Sequence, residues 1–106
     1  MINQLTVQEL KQRLDRDDKP LILDVREPWE CDICRLPDSV HMPMGSVMNR
    51  LTELDPQRET VVICHHGIRS QHIAVMLQRA GFEHLHNLRG GIDAWARQLD
   101  PYMETY

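Results

Sequence analysis

The sequence predicts a single α/β domain built on a central parallel sheet with helices on both faces, and three observations carry that prediction. Short apolar runs alternate with helix-period patterns along the chain, the rhythm of strands joined by crossover helices. Val61, Val62 and Ile63 place three β-branched residues in a row between polar flanks, which suits the doubly covered centre of a parallel sheet. A length of 106 residues provides one core, and no repeat, low-complexity tract or Gly/Ser linker divides it, so residues 1–106 read as one domain.

Thr6 with Glu9 three residues later forms a capping-box signature, and Val7, Leu10 and Leu14 share one face of the helix it opens. The charged stretch 15–19 is its solvated exit. Leu21, Ile22, Leu23 and Val25 make a buried strand ending near Arg26. Pro28 suits a first helical turn, which predicts a short helix from Pro28 to about Ile33, closed soon after by Pro37. Val40 to Met42 reads as a brief strand. The spacing of Val47, Leu51 and Leu54 fits one helical stripe after the Pro43 and Gly45 break. Beyond the 61–63 strand, Ile73, Ala74 and Leu77 recur at helical spacing, and Gly81 stands where a left-handed cap is expected. Gly90 and Gly91 make a sharp turn into a last helix lined by Ile92, Trp95 and Leu99 and ended by Pro101. The tail 102–106 is expected to be loosely held.

Charge and cysteine usage narrow the function. A net charge of -4 argues against a chain that covers nucleic-acid phosphates. No apolar stretch is long enough for a bilayer span, and the N-terminus lacks the pattern of a secretory signal, so neither membrane nor export is expected. Three cysteines do not form a disulfide framework; a reducing cytoplasm is the expected setting, and each thiol then needs packing, metal or chemistry to explain it.

Ligands of open parallel sheets sit beyond the carboxyl ends of the strands, which puts Cys64, His65, His66, Gly67, Ile68 and Arg69 in the expected crevice. The loop runs into a helix N-terminus, whose free N–H groups and dipole favour a negative sulfur. Gly67 permits a tight turn that converges N–H groups into an anion nest, and Arg69 adds a positive charge. The expectation is an ionised, accessible Cys64 thiol. His65 and His66 are candidates for proton relay or local potential. The bland alternative makes Cys64 a small buried hydrophobe at a strand end, with solvent-facing histidines beside it.

These residues resemble the rhodanese homology domains over nearly the whole chain. L-I-L-D-V-R-E-P-W-E at 21–30 is similar to the family's first signature, C-H-H-G-I-R-S at 64–70 to its active-site loop, and N-L-R-G-G-I-D-A-W at 87–95 to its closing signature. The resemblance implies an α/β fold, no cofactor, and Cys64 as the residue that accepts sulfane sulfur and passes it on through a persulfide. Small sulfur donors such as thiosulfate or a persulfide, and thiol or cyanide acceptors, are the implied partners, with a cysteine desulfurase or a sulfur-carrier protein as macromolecular ones. Cys64 to Arg69 is the short, six-position loop of sulfur-handling members, one shorter than the loops of related phosphatases and arsenate reductases. Asp24 and Arg26 match the D-V-R signature, where they organise the sheet edge beneath the loop or form a purely structural ion pair. The segment before the last tyrosine is similar to rhodanese domains fused behind E1-like adenylyltransferases that serve molybdopterin and thiamine sulfur transfer.

Departures from the family pattern are Cys31 in a usually aromatic place, Cys34-Arg35 where Gly-His is common, and Asp38 for Gly, tolerable because Asp visits left-handed turns. Cys31 and Cys34 form a C-x-x-C that packing explains; zinc shared with Cys64, or a redox pair, are the rival readings. For the whole chain the rivals are a non-catalytic partner-binding or redox-sensing module and an anion enzyme of the arsenate reductase or phosphatase type.

Overall fold

Leu21–Asp24 (β2) and Thr60–Ile63 (β4) pair in parallel with Leu23 opposite Val62, so their alternate side chains fall on common faces of the sheet. The computed structural model describes residues 2–106. Within them, Asn3–Leu5 (β1), Leu85–Leu88 (β5) and Val40–His41 (β3) complete a five-stranded, all-parallel sheet in the order β1-β5-β4-β2-β3. One face packs Leu23, Val62 and Leu85 against Ile73, Ala74 and Leu77 of the helix Ile68–Arg79 (α3). The other packs Ile22, Val61, Ile63 and Leu88 against Val7 and Leu10 of Val7–Leu14 (α1) and Ile92 of Gly91–Gln98 (α4). Helices cover both faces, as the alternation of patterns requires.

The local signals act where the sequence placed them. Thr6 and Glu9 close the capping box on α1 in both directions, at 3.1 and 2.9 Å. Pro28–Ile33 (α2) begins with its proline in the first turn. Gly81 sits at φ +101° beyond α3, and Asp38 takes φ +62°, the left-handed conformation expected of its turn.

Three readings are corrected. Val47, Leu51 and Leu54 lie on two short 3-10 stretches, Met44–Asn49 and Leu51–Glu53, with Arg50 breaking the helical path between them. Its bonds run from Arg50 N to Val47 O and from Leu54 N to Leu51 O, the tighter turn used for brief connections. The strands β1 and β5 escaped the sequence reading because they are short and polar: β5 buries His86 and Asn87 inside the sheet. The tail is not loose at its last residue, because the Tyr106 ring stacks on His65 at 3.8 Å. Among the described residues, no helix is long and apolar enough to cross a membrane.

Candidate active site

The connections leaving β2 and β4 diverge to opposite sides of the sheet, β2 toward β3 and β4 toward β5, which opens a crevice at the carboxyl ends of these two neighbours. Cys64 follows β4 directly, and Arg26 follows β2 by two residues. The loop between Cys64 and α3 turns at Gly67, φ +98°, where a Cβ would press on Leu88 O at 3.2 Å and Gly90 N at 3.3 Å. Its entry is pinned from α4: Ile92 N donates to Cys64 O at 2.9 Å and Asp93 N to His65 O at 3.1 Å.

Gly67 is the N-cap of α3 and has no side chain to satisfy the helix's free N–H groups. The Cys64 sulfur takes that place. Sγ accepts from Gly67 N at 3.1 Å and from Ser70 N at 3.4 Å, and lies 3.2 Å from Ser70 Oγ. Ser70 Oγ in turn donates to Asn87 Oδ1, whose amide is oriented by Nδ2 donating to Gly67 O at 3.1 Å and Gln4 Oε1 at 2.9 Å. With its proton directed at Asn87, the serine hydroxyl offers a lone pair to a protonated thiol; turned toward Sγ, the same proton stabilises an anionic sulfur. Ser70 and Asn87 lie inside the loop and closing motifs, yet their pairing was not read from the sequence, because only β5 beside β4 brings them together.

Two expectations about this site are corrected. The Cys64 residue is only 1% exposed, since Sγ turns inward beneath Gly67 and the side chain joins the cluster of Val25, Val62 and Ile73. Arg69 does not face the sulfur as a free cation; both its terminal nitrogens donate to Glu30, each at 2.7 Å. Glu30 is buried, and the Arg69 guanidinium drives its carboxyl down to about 2 against the opposing effect of burial. The remaining loop residues divide: Ile68 is 71% exposed, His66 is exposed, and His65 is partly buried between His66 and Tyr106. Burial, aided by neighbouring His66, lowers the His65 pKa, and its Nε2 is enclosed without a protein partner.

Asp24 and Arg26 form a fully buried ion pair, with Arg26 Nη2 2.7 Å from Asp24 Oδ2. The guanidinium also donates to Cys34 O at 2.7 Å, Glu30 O at 3.3 Å and the Tyr106 hydroxyl at 3.1 Å. It therefore fixes α2, and through α2 the carboxylate that grips Arg69. Tyr106 donates to Glu30 Oε1 at 2.8 Å, and burial pushes its pKa up to about 12. Cys31 Sγ lies 3.7 Å from Asp24 Oδ2, and Cys34 Sγ 3.9 Å from Arg26 Nη1, so both thiols pack on this pair. Burial pushes the Cys31 thiol up to about 11 and raises Cys34. Among the described residues, no three His, Cys, Asp or Glu side chains gather as a metal-binding group.

The profile of the Rhodanese-like domain matches residues 6–98. The chain belongs to the rhodanese-like domain family. A sulfurtransferase of Allochromatium vinosum is 36% identical to this rhodanese-like chain over 97 residues, covering 92% of it and 91% of the relative. The probable adenylyltransferase/sulfurtransferase MoeZ of Mycobacterium tuberculosis is 36% identical over 96% of this chain, which spans 26% of that protein. The crystal structure of a rhodanese-like domain protein from Staphylococcus aureus superposes with a TM-score of 0.86 at 26% identity, covering 99% of each chain.

Proposed function

We propose that this rhodanese-like domain is a sulfurtransferase that carries sulfane sulfur as a persulfide on Cys64. The observation that carries the reading is the convergence of two main-chain N–H groups and one hydroxyl on Sγ. A neutral thiol accepts such bonds only weakly, whereas a thiolate or persulfide anion in the same place is strongly stabilised by them. The names of its relatives support the same activity.

The reaction is a double displacement. The Cys64 thiolate attacks the outer sulfur of the donor, a new S–S bond forms, and the donor's own S–S bond breaks to release its remainder as an anion. A nucleophilic acceptor, cyanide or a thiol, then attacks the outer sulfur of the Cys64 persulfide and returns the thiolate, so no net oxidant is needed. Residues 64–69 surround the incoming sulfur, with Gly67 and Ser70 supplying donors and His65, His66 and Ile68 forming the outer wall. Because Cys64 is covered, entry of a donor requires that wall to shift. Asp24 and Arg26 position α2 behind it. The three free thiols suit a reducing cytoplasm, and a sulfur-carrier protein or a cysteine desulfurase fits as a protein partner.

The test is intact-mass analysis after incubation with thiosulfate or glutathione persulfide, followed by cyanide. The expected result is a gain of about one sulfur atom on the wild type, lost on adding cyanide and absent in Cys64→Ser. Failure of every donor to load Cys64, or hydrolysis of an aryl phosphate in its place, overturns the reading.

A further inference from the structure

The charges around the loop cancel in pairs. Arg69 is neutralised by Glu30 at 2.7 Å, Arg26 by Asp24 at 2.7 Å, and Arg97 by Asp93 at 3.0 Å. His66 Nδ1 lies 3.9 Å from the same Asp93, and burial favours the neutral form of His65. Arg89, the cation nearest the closing turn in sequence, lines a separate groove with Thr6 and Gln8 beside α1. Among the described residues the cations flanking the loop itself are thus paired, and the basic side chains His72 and Arg79, outside any described ion pair, lie further along α3 on the groove that opens from Gly67 and Ile68.

That balance discriminates between donors. Thiosulfate carries two negative charges to an anionic nucleophile and leaves as a sulfite dianion, so its transition state gathers three charges in the crevice. An organic persulfide in its R–S–SH form adds none: Cys64–S⁻ attacks the outer sulfur, the R–S–SH bond breaks, R–S⁻ departs and takes a proton from solvent, and Cys64–S–SH remains. Two N–H dipoles and a hydroxyl serve a single negative charge well, whereas a multiply charged state in a partly desolvated crevice requires an unpaired cation.

Resting on the sulfurtransferase reading above, we infer that Glu30 sets donor choice: by holding Arg69 as a neutral pair it adapts the site to organic persulfides and against thiosulfate. Glu30 is thus a specificity-determining residue acting through Arg69. It is assigned by geometry, since both its oxygens are engaged by one guanidinium and one of them also accepts from Tyr106.

The experiment compares kcat/KM for glutathione persulfide and for thiosulfate, with cyanide as acceptor, in wild type, Glu30→Gln and Glu30→Gln/Arg69→Gln. Wild type should favour the persulfide by about a hundredfold or more, with thiosulfate turnover that rises as added salt screens the like charges. Glu30→Gln keeps one acceptor oxygen for Arg69 Nη2 and Tyr106, gives up the one that serves Arg69 Nη1 and Glu27 N, and releases the positive charge. It should raise thiosulfate kcat/KM about tenfold, make it fall with salt, and change the persulfide value by less than about threefold. The double variant should lose that gain. Equal use of both donors by the wild type, or an unchanged donor ratio in a folded Glu30→Gln, overturns the inference while leaving the persulfide mechanism intact. If Glu30→Gln does not fold, the wild-type donor ratio and its salt dependence decide. Absence of sulfur loading from either donor refutes the underlying reading instead.

Discussion

Replacing Gly91 by alanine tests whether α4 holds the Cys64 loop in place. Gly91 has φ +64°, and a Cβ there would overlap the carbonyl oxygen of His65 and lie 2.5 Å from its carbon and 2.6 Å from Cys64 O. These are backbone atoms, fixed by the bonds from Ile92 N and Asp93 N, so no flexible side chain can yield. A left-handed alanine costs about 1 kcal/mol, the overlap about 1–3 kcal/mol, and weakening of the two hydrogen bonds about 1 kcal/mol more. The expected total is about 3–5 kcal/mol, a large share of the roughly 5–15 kcal/mol that stabilises a domain. Gly81→Ala is the control: φ is +101° but nothing lies within 4 Å of the added carbon, so only the left-handed strain of about 1 kcal/mol applies. Urea unfolding followed by circular dichroism gives both values, and sulfur loading of Cys64 reports loop position in whatever remains folded. Gly91→Ala should unfold at markedly lower urea than Gly81→Ala and load sulfur at least about tenfold more slowly. Equal midpoints together with normal loading would show that the loop is not clamped by α4.

Acid stability and thiol reactivity give two further outcomes. Glu30 and Glu59 have carboxyl pKa values lowered from 4.5 to about 2, chiefly by hydrogen bonds from Arg69 and Arg13. A depressed folded-state pKa contributes stability that is complete above about pH 4.5 and is lost as pH falls toward 2; the buried Glu30 contributes about 3 kcal/mol, and the partly exposed Glu59 less. Urea midpoints measured from pH 6 down to pH 3 should therefore fall steeply in the wild type and less steeply in Glu30→Gln, and parallel slopes would contradict the assignment. Cys31, pushed up to about 11 by burial, should resist iodoacetamide at pH 7.5 in the native state and react on unfolding, as read by peptide mass. Native alkylation at the rate of a free thiol would remove that claim.

What the sequence revealed was whatever short-range chemistry controls. The Thr6–Glu9 box, Pro28 in a first turn, Gly81 beyond α3 and Asp38 in a left-handed turn each depend on a few neighbouring residues, and each stands where it was read. The β-branched run of β4 likewise led to Cys64 at a strand end. Features set by distant parts of the chain were hidden. Arg69 finds Glu30 at a separation of 39 residues, and Asn87 finds Gln4 at 83. Polar β5 hides its strand because His86 Nε2 and the Asn87 amide find partners in Glu59, Gln4, Gly67 and Ser70 rather than in water. Burial of Cys64 was hidden for the same reason, since the residues that cover it belong to other elements.

The burial of Cys64 follows from the way the loop caps its helix. A glycine at the N-cap of α3 allows the left-handed turn but leaves N–H groups that need an acceptor. Sγ reaches them only by pointing back beneath Gly67, and in doing so it leaves the surface. The sulfur is thus met by oriented donors that also begin a helix, with the Ser70 hydroxyl as the one group free to rotate. Asn87 controls that rotation from β5, and Gln4 holds Asn87 from β1. The order β1-β5-β4 therefore runs through a hydrogen-bonded line ending at the sulfur. In the proposed transfer, donors fixed beforehand would need no reorganisation when charge moves onto the outer atom of a persulfide, which is the advantage that aimed N–H groups would give a covered thiol.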